Sequence, residues 1–295
     1  MSFPERGNYG NKNWRGNCSG YPILNLVKHF RPTIFCDPSE GSGTSRDVAR
    51  KLAREGMKLE YFGFDLRTGF NLVRDSLVKM LPREADYIWY HPAYFSIIQY
   101  SGNVWGKEPH PDDLSRCGSY EEFLEKLQLS IFNIHEATRK NGNYSILIGD
   151  VRQNGNYYSI QSDIIKMCPG KLEGVIIKEQ HNCVSDGRQY TGNIIRIAHE
   201  YILNFRRDGM VFSLLDATLE VSRRLKSLSD ATWGALVQFA LMKLDGEANL
   251  SDIYRVIEET APDKTRTRPN WQAKVRQVLQ FKHKNVERGR WALAA

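Results

Sequence analysis

The chain has 295 residues, 41% hydrophobic and 11% aromatic, enough for the core of one large domain and a small one. No apolar run reaches the about 20 residues that cross a bilayer. Met1-Ser-Phe-Pro-Glu-Arg6 also lacks the basic-then-apolar pattern of a secretion signal, so a soluble cytoplasmic protein is expected. The net charge of +7 permits a polyanionic partner, and five scattered cysteines without a C-x-x-C pair argue against disulfides, structural zinc or any other metal.

Residues 2–20 are polar and rich in Gly, Asn and Arg, and read as an extended arm. Apolar residues at helical spacing over 21–30 stop before Pro32. A short apolar run then predicts a buried strand over 33–36, followed by the turn Asp37-Pro-Ser-Glu-Gly-Ser-Gly-Thr44 and a helix over 45–55. A strand over 59–64 ends at Asp65, and a helix over 72–80 leads to a strand over 87–90 and the turn His91-Pro-Ala-Tyr94. After a loop over 101–119, the pattern predicts a helix over 120–140 and a core strand over 144–149 running into Asp150-Val-Arg152. A helix over 162–168, a strand over 174–178, a polar loop over 181–193 and a strand over 201–205 complete the series. Alternating strands and helices argue for a mostly parallel sheet with right-handed crossovers.

Residues 206–229 read as a boundary with a short helix. Beyond it, helices are expected over 232–244, 250–259 and 271–280, then a two-stranded wing turning near Arg288-Gly289. Three helices and a wing make a winged helix, whose third helix, carrying Lys274 and Arg276, would lie in a DNA groove. From Val221 onward there are 14 Lys and Arg against 8 Asp and Glu, so nearly all the positive excess sits there. Phosphate neutralisation is one reading and a solvated helical surface the other.

The two turns carry the chemistry. Taken together, in this order and each at a strand end, they resemble the cofactor loop and catalytic loop of the amino-methyltransferases that use S-adenosylmethionine on DNA bases. The resemblance extends over about residues 15–206, through Tyr100-Ser-Gly-Asn-Val-Trp105, Ile148-Gly-Asp-Val-Arg152, Ile177-Lys-Glu-Gln-His-Asn-Cys183 and Ile197-Ala-His-Glu-Tyr-Ile202. It implies an α/β, Rossmann-like methyltransferase sheet over 21–215, an arm over 1–20 and a small winged-helix domain over 228–295.

On that resemblance, Asp37, Pro38, Ser39, Gly41, Ser42, Gly43 and Thr44 would hold S-adenosylmethionine. Asp37 would take its amino group, loop N–H groups its carboxylate, and Asp65 both ribose hydroxyls. The ending Gly-Lys-Ser/Thr of a P-loop is missing. His91, Pro92 and Tyr94 would form the catalytic turn, with His91 accepting the hydrogens of a base amine and Tyr94 stacking on the flipped-out base. Phe95 and Trp105 are further stacking candidates or core residues. The family pattern is Asp, Asn or Ser, then Pro-Pro and an aromatic. Here His91 and Ala93 depart from it, and a neutral imidazole accepts only one hydrogen bond.

Lys178, His181, Asn182 and Arg188 are expected to face DNA, together with Lys274, Arg276 and Arg288 of the tail; Asp150, His199 and Glu200 fall near the pocket or cleft without a role. The resemblance implies methyl transfer to adenine N6 in duplex DNA, with cytosine N4, RNA, or a non-catalytic DNA-binding scaffold as alternatives. A partner- or self-association role rivals DNA binding for the tail. A separate restriction endonuclease, a monomer and a homodimer are all compatible with the sequence.

Overall fold

A computed structural model of the protein describes residues 1–182, 194–208 and 233–293. Contacts divide the chain into two compact units, Met1–Leu215 and Asp216–Ala295.

In the first unit, α1 (Gly20–Phe30) begins at Ser19, whose hydroxyl accepts from Tyr21 N–H, and ends at Arg31 in the left-handed region just before Pro32. Then follow β1 (Ile34–Asp37), α2 (Thr44–Arg54), β2 (Glu60–Gly63), α3 (Leu77–Met80) and β3 (Ala85–Tyr90). Ser119 caps α4 (Tyr120–Ala137) by accepting from Glu122 N–H. The unit continues with β4 (Thr138–Ile148), β5 (Val151–Gln153), β6 (Asn156–Tyr158), α5 (Ile160–Met167), β7 (Lys171–Glu179) and β8 (His199–Arg206).

Six strands form one sheet in the order β2-β1-β3-β4-β8-β7. The first four are mutually parallel, and β8 runs antiparallel to both β4 and β7. This is an α/β, Rossmann-like sheet. Alternate strand residues bury on opposite faces: Phe35, Tyr87, Trp89 and Leu147 join Ile23, Val27 and Val48 on one side. Cys36, Ile88, Tyr90 and Ile146 join Phe123, Leu127 and Ile131 on the other. Burial on both faces is why β1 and β3 read as continuous apolar runs. From β1 the chain passes outward to β2 and then crosses back to β3 on β1's other side. The β1–β3 boundary is therefore a topological switch point, where open α/β sheets place ligands beyond the carboxyl ends of the strands.

Two local expectations give way, and one hairpin has no counterpart among them. The helix expected over 72–80 contracts to α3, because Asn71 and Asp75 spend their side chains on nearby amides, Asn71 Oδ1 on Val73 and Asp75 Oδ2 on Asn71. The helix over 120–140 stops at Ala137, and the polar Lys140-Asn-Gly-Asn143 belongs to β4, with Asn143 paired to Tyr87 and Arg206. Asp150-Val-Arg152 leads into a β5–β6 hairpin turned by Asn154 and Gly155, both at positive φ.

The second unit holds α6 (Trp233–Lys243), β9 (Glu247–Asn249), α7 (Leu250–Thr260), α8 (Pro262–Arg266), α9 (Trp271–Lys282), β10 (Lys284–Glu287) and β11 (Arg290–Ala292). The strands form a small antiparallel sheet in the order β10-β11-β9, so the two strands expected after the last helix pair with a third, and α8 adds a fourth helix to the three expected. Leu236, Ile253, Ile257, Trp271, Val275 and Leu279 bury into the unit's own core. The expected short helix within 206–229 lies, from residue 209 onward, outside the described residues. No helix among the described residues is long and apolar enough to cross a membrane.

Candidate functional site

The turns that follow β1 and β3 meet at the switch point. Ser39 joins them: its hydroxyl accepts from His91 N–H at 3.2 Å and lies 3.3 Å from Asp37 Oδ1. Both turns line a cavity of about 980 Å³, measured with its open mouth, which reaches Asp37, Gly41, Asp65, His91, Tyr100 and Trp105.

Asp37, at the end of β1, is 3% exposed. Its Oδ1 accepts from Ser39 N–H at 3.0 Å, and Ser45 donates its hydroxyl to Oδ2. Burial pushes this carboxyl up to about 7 against those hydrogen bonds, and the neighbouring Glu40 and Asp65 push the same way. Of the other acids on the cavity wall, Glu40 pairs with Arg46 at 3.1 Å and Asp112 with Arg74, while Asp113 accepts from Ser101 and Ser115. Asp37 and Asp65 have no cationic partner among the described residues.

The Gly-rich turn spends most of its own amides. Ser39 N–H donates to Asp37, Glu40 N–H to Phe64 O, Gly41 N–H to Asp65 Oδ2 at 2.8 Å, and Gly43 N–H to Glu40 O. Of the loop N–H groups expected to meet a carboxylate, that of Gly41 is therefore already engaged. Gly43, at φ 85°, is the N-cap of α2 and provides no side-chain acceptor, so Ser42 N–H and the first-turn amides of α2 are left for an anion. Asp65 closes the same turn, accepting from Gly41 N–H on one oxygen and Arg67 N–H on the other at 2.9 Å. Each oxygen keeps a second lone pair.

After β3, His91 lines the cavity and Tyr94 does not. The Tyr94 hydroxyl lies 2.9 Å from His91 Nε2 and donates to Glu200 Oε1 at 2.9 Å. Lys178 Nζ donates to Glu200 Oε2 at 2.6 Å. The pair Lys178 and Glu200 sits in register across β7 and β8 and is 8–9% exposed. Burial lowers His91 to about 4, so its imidazole is neutral at neutral pH. Lys178, expected to face DNA, is instead a buried ion-pair partner in this network. Tyr94, expected to stack on a base, has its hydroxyl tied away from the cavity. Phe95, at φ 48°, anchors the end of the turn by burying its ring among Tyr120, Phe123 and Tyr158, whereas Trp105 lines the cavity.

The residues read as an extended arm fold over the Gly-rich turn. Gly10 N–H donates to Asp47 at 2.9 Å, Thr44 donates its hydroxyl to Asn17, and the Arg67 guanidinium lies 5.2 Å over the Trp14 ring. Trp14, Asn17 and Cys18 line the cavity. The available signal was a tryptophan set among Gly7, Gly10 and Gly16, all at positive φ.

The other charged candidates scatter. His181 Nε2 lies 2.8 Å from Ser2 Oγ and Asn182 donates to Pro4 O, so both hold the arm, while Arg188 lies outside the described residues. Asp150 accepts from the Tyr157 hydroxyl, and His199 bonds the Tyr201 hydroxyl. Lys274, Arg276 and Arg288 are exposed in the second unit, where Arg276 donates to the Tyr254 hydroxyl. Among the described residues the cysteines are free thiols.

No family model and no curated protein matches the chain. Solved structures do. TTHA0409 of Thermus thermophilus, a candidate DNA modification methylase complexed with S-adenosyl-L-methionine, is 23% identical; the match covers 46% of this chain and 51% of that one at a TM-score of 0.28. TrmN from Thermus thermophilus is 14% identical over 63% of this chain and 47% of its own, with a TM-score of 0.35. A candidate class I S-adenosylmethionine-dependent methyltransferase from Listeria monocytogenes is 13% identical over 66% and 60%, with a TM-score of 0.38. The chain thus spans about half the length of the first two. Similarity at this level says nothing about substrate or activity.

Proposed function

We propose that this protein is a methyltransferase that uses S-adenosylmethionine on an exocyclic amine of a DNA base, adenine N6 before cytosine N4. The observation that carries the reading is the meeting of the two turns at the switch point, where an acid-rich cavity faces a neutral imidazole.

The cavity suits this cofactor, which is cationic at both its ammonium and its sulfonium. Asp37 and Asp65 are carboxylates without cationic partners among the described residues, and a buried acid held near 7 is what an approaching ammonium stabilises. Asp37 would hold the ammonium, the first turn of α2 the carboxylate, and the free lone pairs of Asp65 the ribose hydroxyls. When bound, S-adenosylmethionine supplies an electrophilic methyl group. His91 accepts one hydrogen of the target amine, which holds its nitrogen towards tetrahedral geometry with the lone pair free to attack. The surplus proton on the methylated nitrogen has the neutral imidazole as its acceptor. The work is positioning and electrostatics. With Tyr94 turned away, Trp105 and Tyr100 are the aromatic cavity residues suited to stack on a flipped base.

The second unit reads as a winged helix that binds duplex DNA. Its elements run helix, strand, three helices and two strands, and α9 exposes Lys274 and Arg276. A non-catalytic scaffold is favoured only by the His91 and Ala93 departures. Incubation with methyl-labelled S-adenosylmethionine and unmethylated DNA or RNA, followed by nucleoside mass spectrometry, separates these readings. Label on N6-methyladenine, lost in His91→Ala, is expected. Label on RNA alone, or cofactor binding without transfer to either, refutes the proposal.

A further inference from the structure

We propose that Glu200, held by Lys178, acts through the Tyr94 hydroxyl to fix His91 as its Nε2–H tautomer, leaving Nδ1 as the ring's one lone-pair acceptor. Use of that lone pair in amine methylation rests on the function proposed above; the tautomer itself does not.

The argument is a count of protons. Glu200 receives the Lys178 ammonium on Oε2 at 2.6 Å and has an acceptor, Oε1, facing Tyr94 at 2.9 Å. An ionised carboxylate has no hydrogen to offer, and the Tyr94 hydroxyl has one. That hydrogen goes to Glu200, so the hydroxyl oxygen can only accept from His91 Nε2, 2.9 Å away. In the opposite arrangement Tyr94 donates to Nε2, and the lone pairs of Tyr94 and Glu200 confront each other in a buried site. Nε2 therefore carries the proton. A neutral imidazole has two nitrogens of opposite role, and the bond made by one decides the role of the other. No hydrogen bond engages Nδ1 among the described residues.

A separate observation shows that this contact is built in. Gly149 follows β4 directly, and a Cβ there would lie 2.9 Å from Tyr94 Cε2 and 3.6 Å from Glu200 Cγ. Glycine at this position gives the tyrosine ring its room. Tyr94, Glu200 and Lys178 all lie off the cavity wall, so they are positioning residues, and only His91 meets a ligand.

The test is long-range ¹H–¹⁵N correlation on the full chain labelled at histidine, with the His91 signals assigned by loss in His91→Gln. Wild type is expected to show Nε2 protonated and Nδ1 bare at neutral pH. In Glu200→Gln, Lys178 keeps hold of the amide oxygen and the amide NH₂ turns to the Tyr94 oxygen. Tyr94 must then donate to His91, and the tautomer should invert. Tyr94→Phe, which keeps the ring, should give a mixture of tautomers. Both variants should lower methyl transfer about 10- to 100-fold, as loss of an imidazole's orienting partner does elsewhere, with cofactor affinity unchanged. A wild-type Nδ1–H tautomer, or an unaltered Nε2–H tautomer in both variants, overturns the proposal. A wild type with the expected tautomer that methylates no nucleic acid would instead overturn the proposed function alone.

Discussion

Replacing Asp37 by Asn should make the ligand-free protein more stable at pH 8 and abolish its binding of S-adenosylmethionine. Asp37 titrates near 7 when folded, against 3.8 for the free side chain, because burial opposes its charge. A carboxyl whose folded value is raised contributes stability that is fully present below its unfolded value and lost as pH rises through its folded value. Above pH 7, carrying the buried charge costs the ligand-free fold up to about 4 kcal/mol, from about 3 units at 1.36 kcal/mol each. Asn has no charge to bury, and the hydroxyl of Ser45, now a donor to Asp37, can turn to accept from the amide NH₂. Urea unfolding of both proteins from pH 4 to pH 8 should give curves that converge at the acid end and separate, with the variant above, towards pH 8. Calorimetry should show cofactor affinity of the wild type falling up to tenfold per pH unit below about 7, where Asp37 is protonated. His91, held neutral down to about 4, changes stability with pH equally in both proteins and leaves the fall in cofactor affinity just below 7 to Asp37. Parallel stability curves, or cofactor binding retained in the variant, would refute the assignment of Asp37 as the ammonium's partner.

Gly149→Ala drives a methyl group into the Tyr94 ring, and should cost about 1–3 kcal/mol and lower methyl transfer while sparing cofactor affinity; calorimetry and turnover together check this. Leu279→Ala, in the core of the second unit, should destabilise that unit by about 2–5 kcal/mol in denaturant melts. The same variant should leave cofactor affinity within about twofold, since the cavity belongs to the first unit. Replacing Lys274, Arg276 and Arg288 together by Ala should weaken duplex DNA binding, and flatten the slope of log affinity against log salt by about 2 to 3. An unchanged slope would mean that these side chains do not meet phosphates.

Much of the first unit was legible because local patterns agreed with tertiary demands. The buried runs at β1 and β3 announce a sheet covered on both faces, and each ends in a turn whose residues suit a ligand. Where local and tertiary signals disagreed, the expectation failed. Lys140-Asn-Gly-Asn143 has loop composition, and pairing with its neighbours makes it strand. Asn154-Gly155 is by contrast a local hairpin signal, and it turns β5 into β6.

The sequence alone determined that two chemically distinct turns follow two core strands, because an apolar run of strand length and its bounding glycines and prolines are local properties. Only the tertiary structure decided that these strands are neighbours, and that Glu200, 106 residues beyond Tyr94, receives its hydroxyl. It also turned Lys178 from a surface cation into a buried partner, and drew the arm over the Gly-rich turn. The reason is physical. Strand order and register bring together residues whose separation along the chain carries no trace of the contact. What a lysine or tyrosine then does depends on the groups that burial leaves it to satisfy.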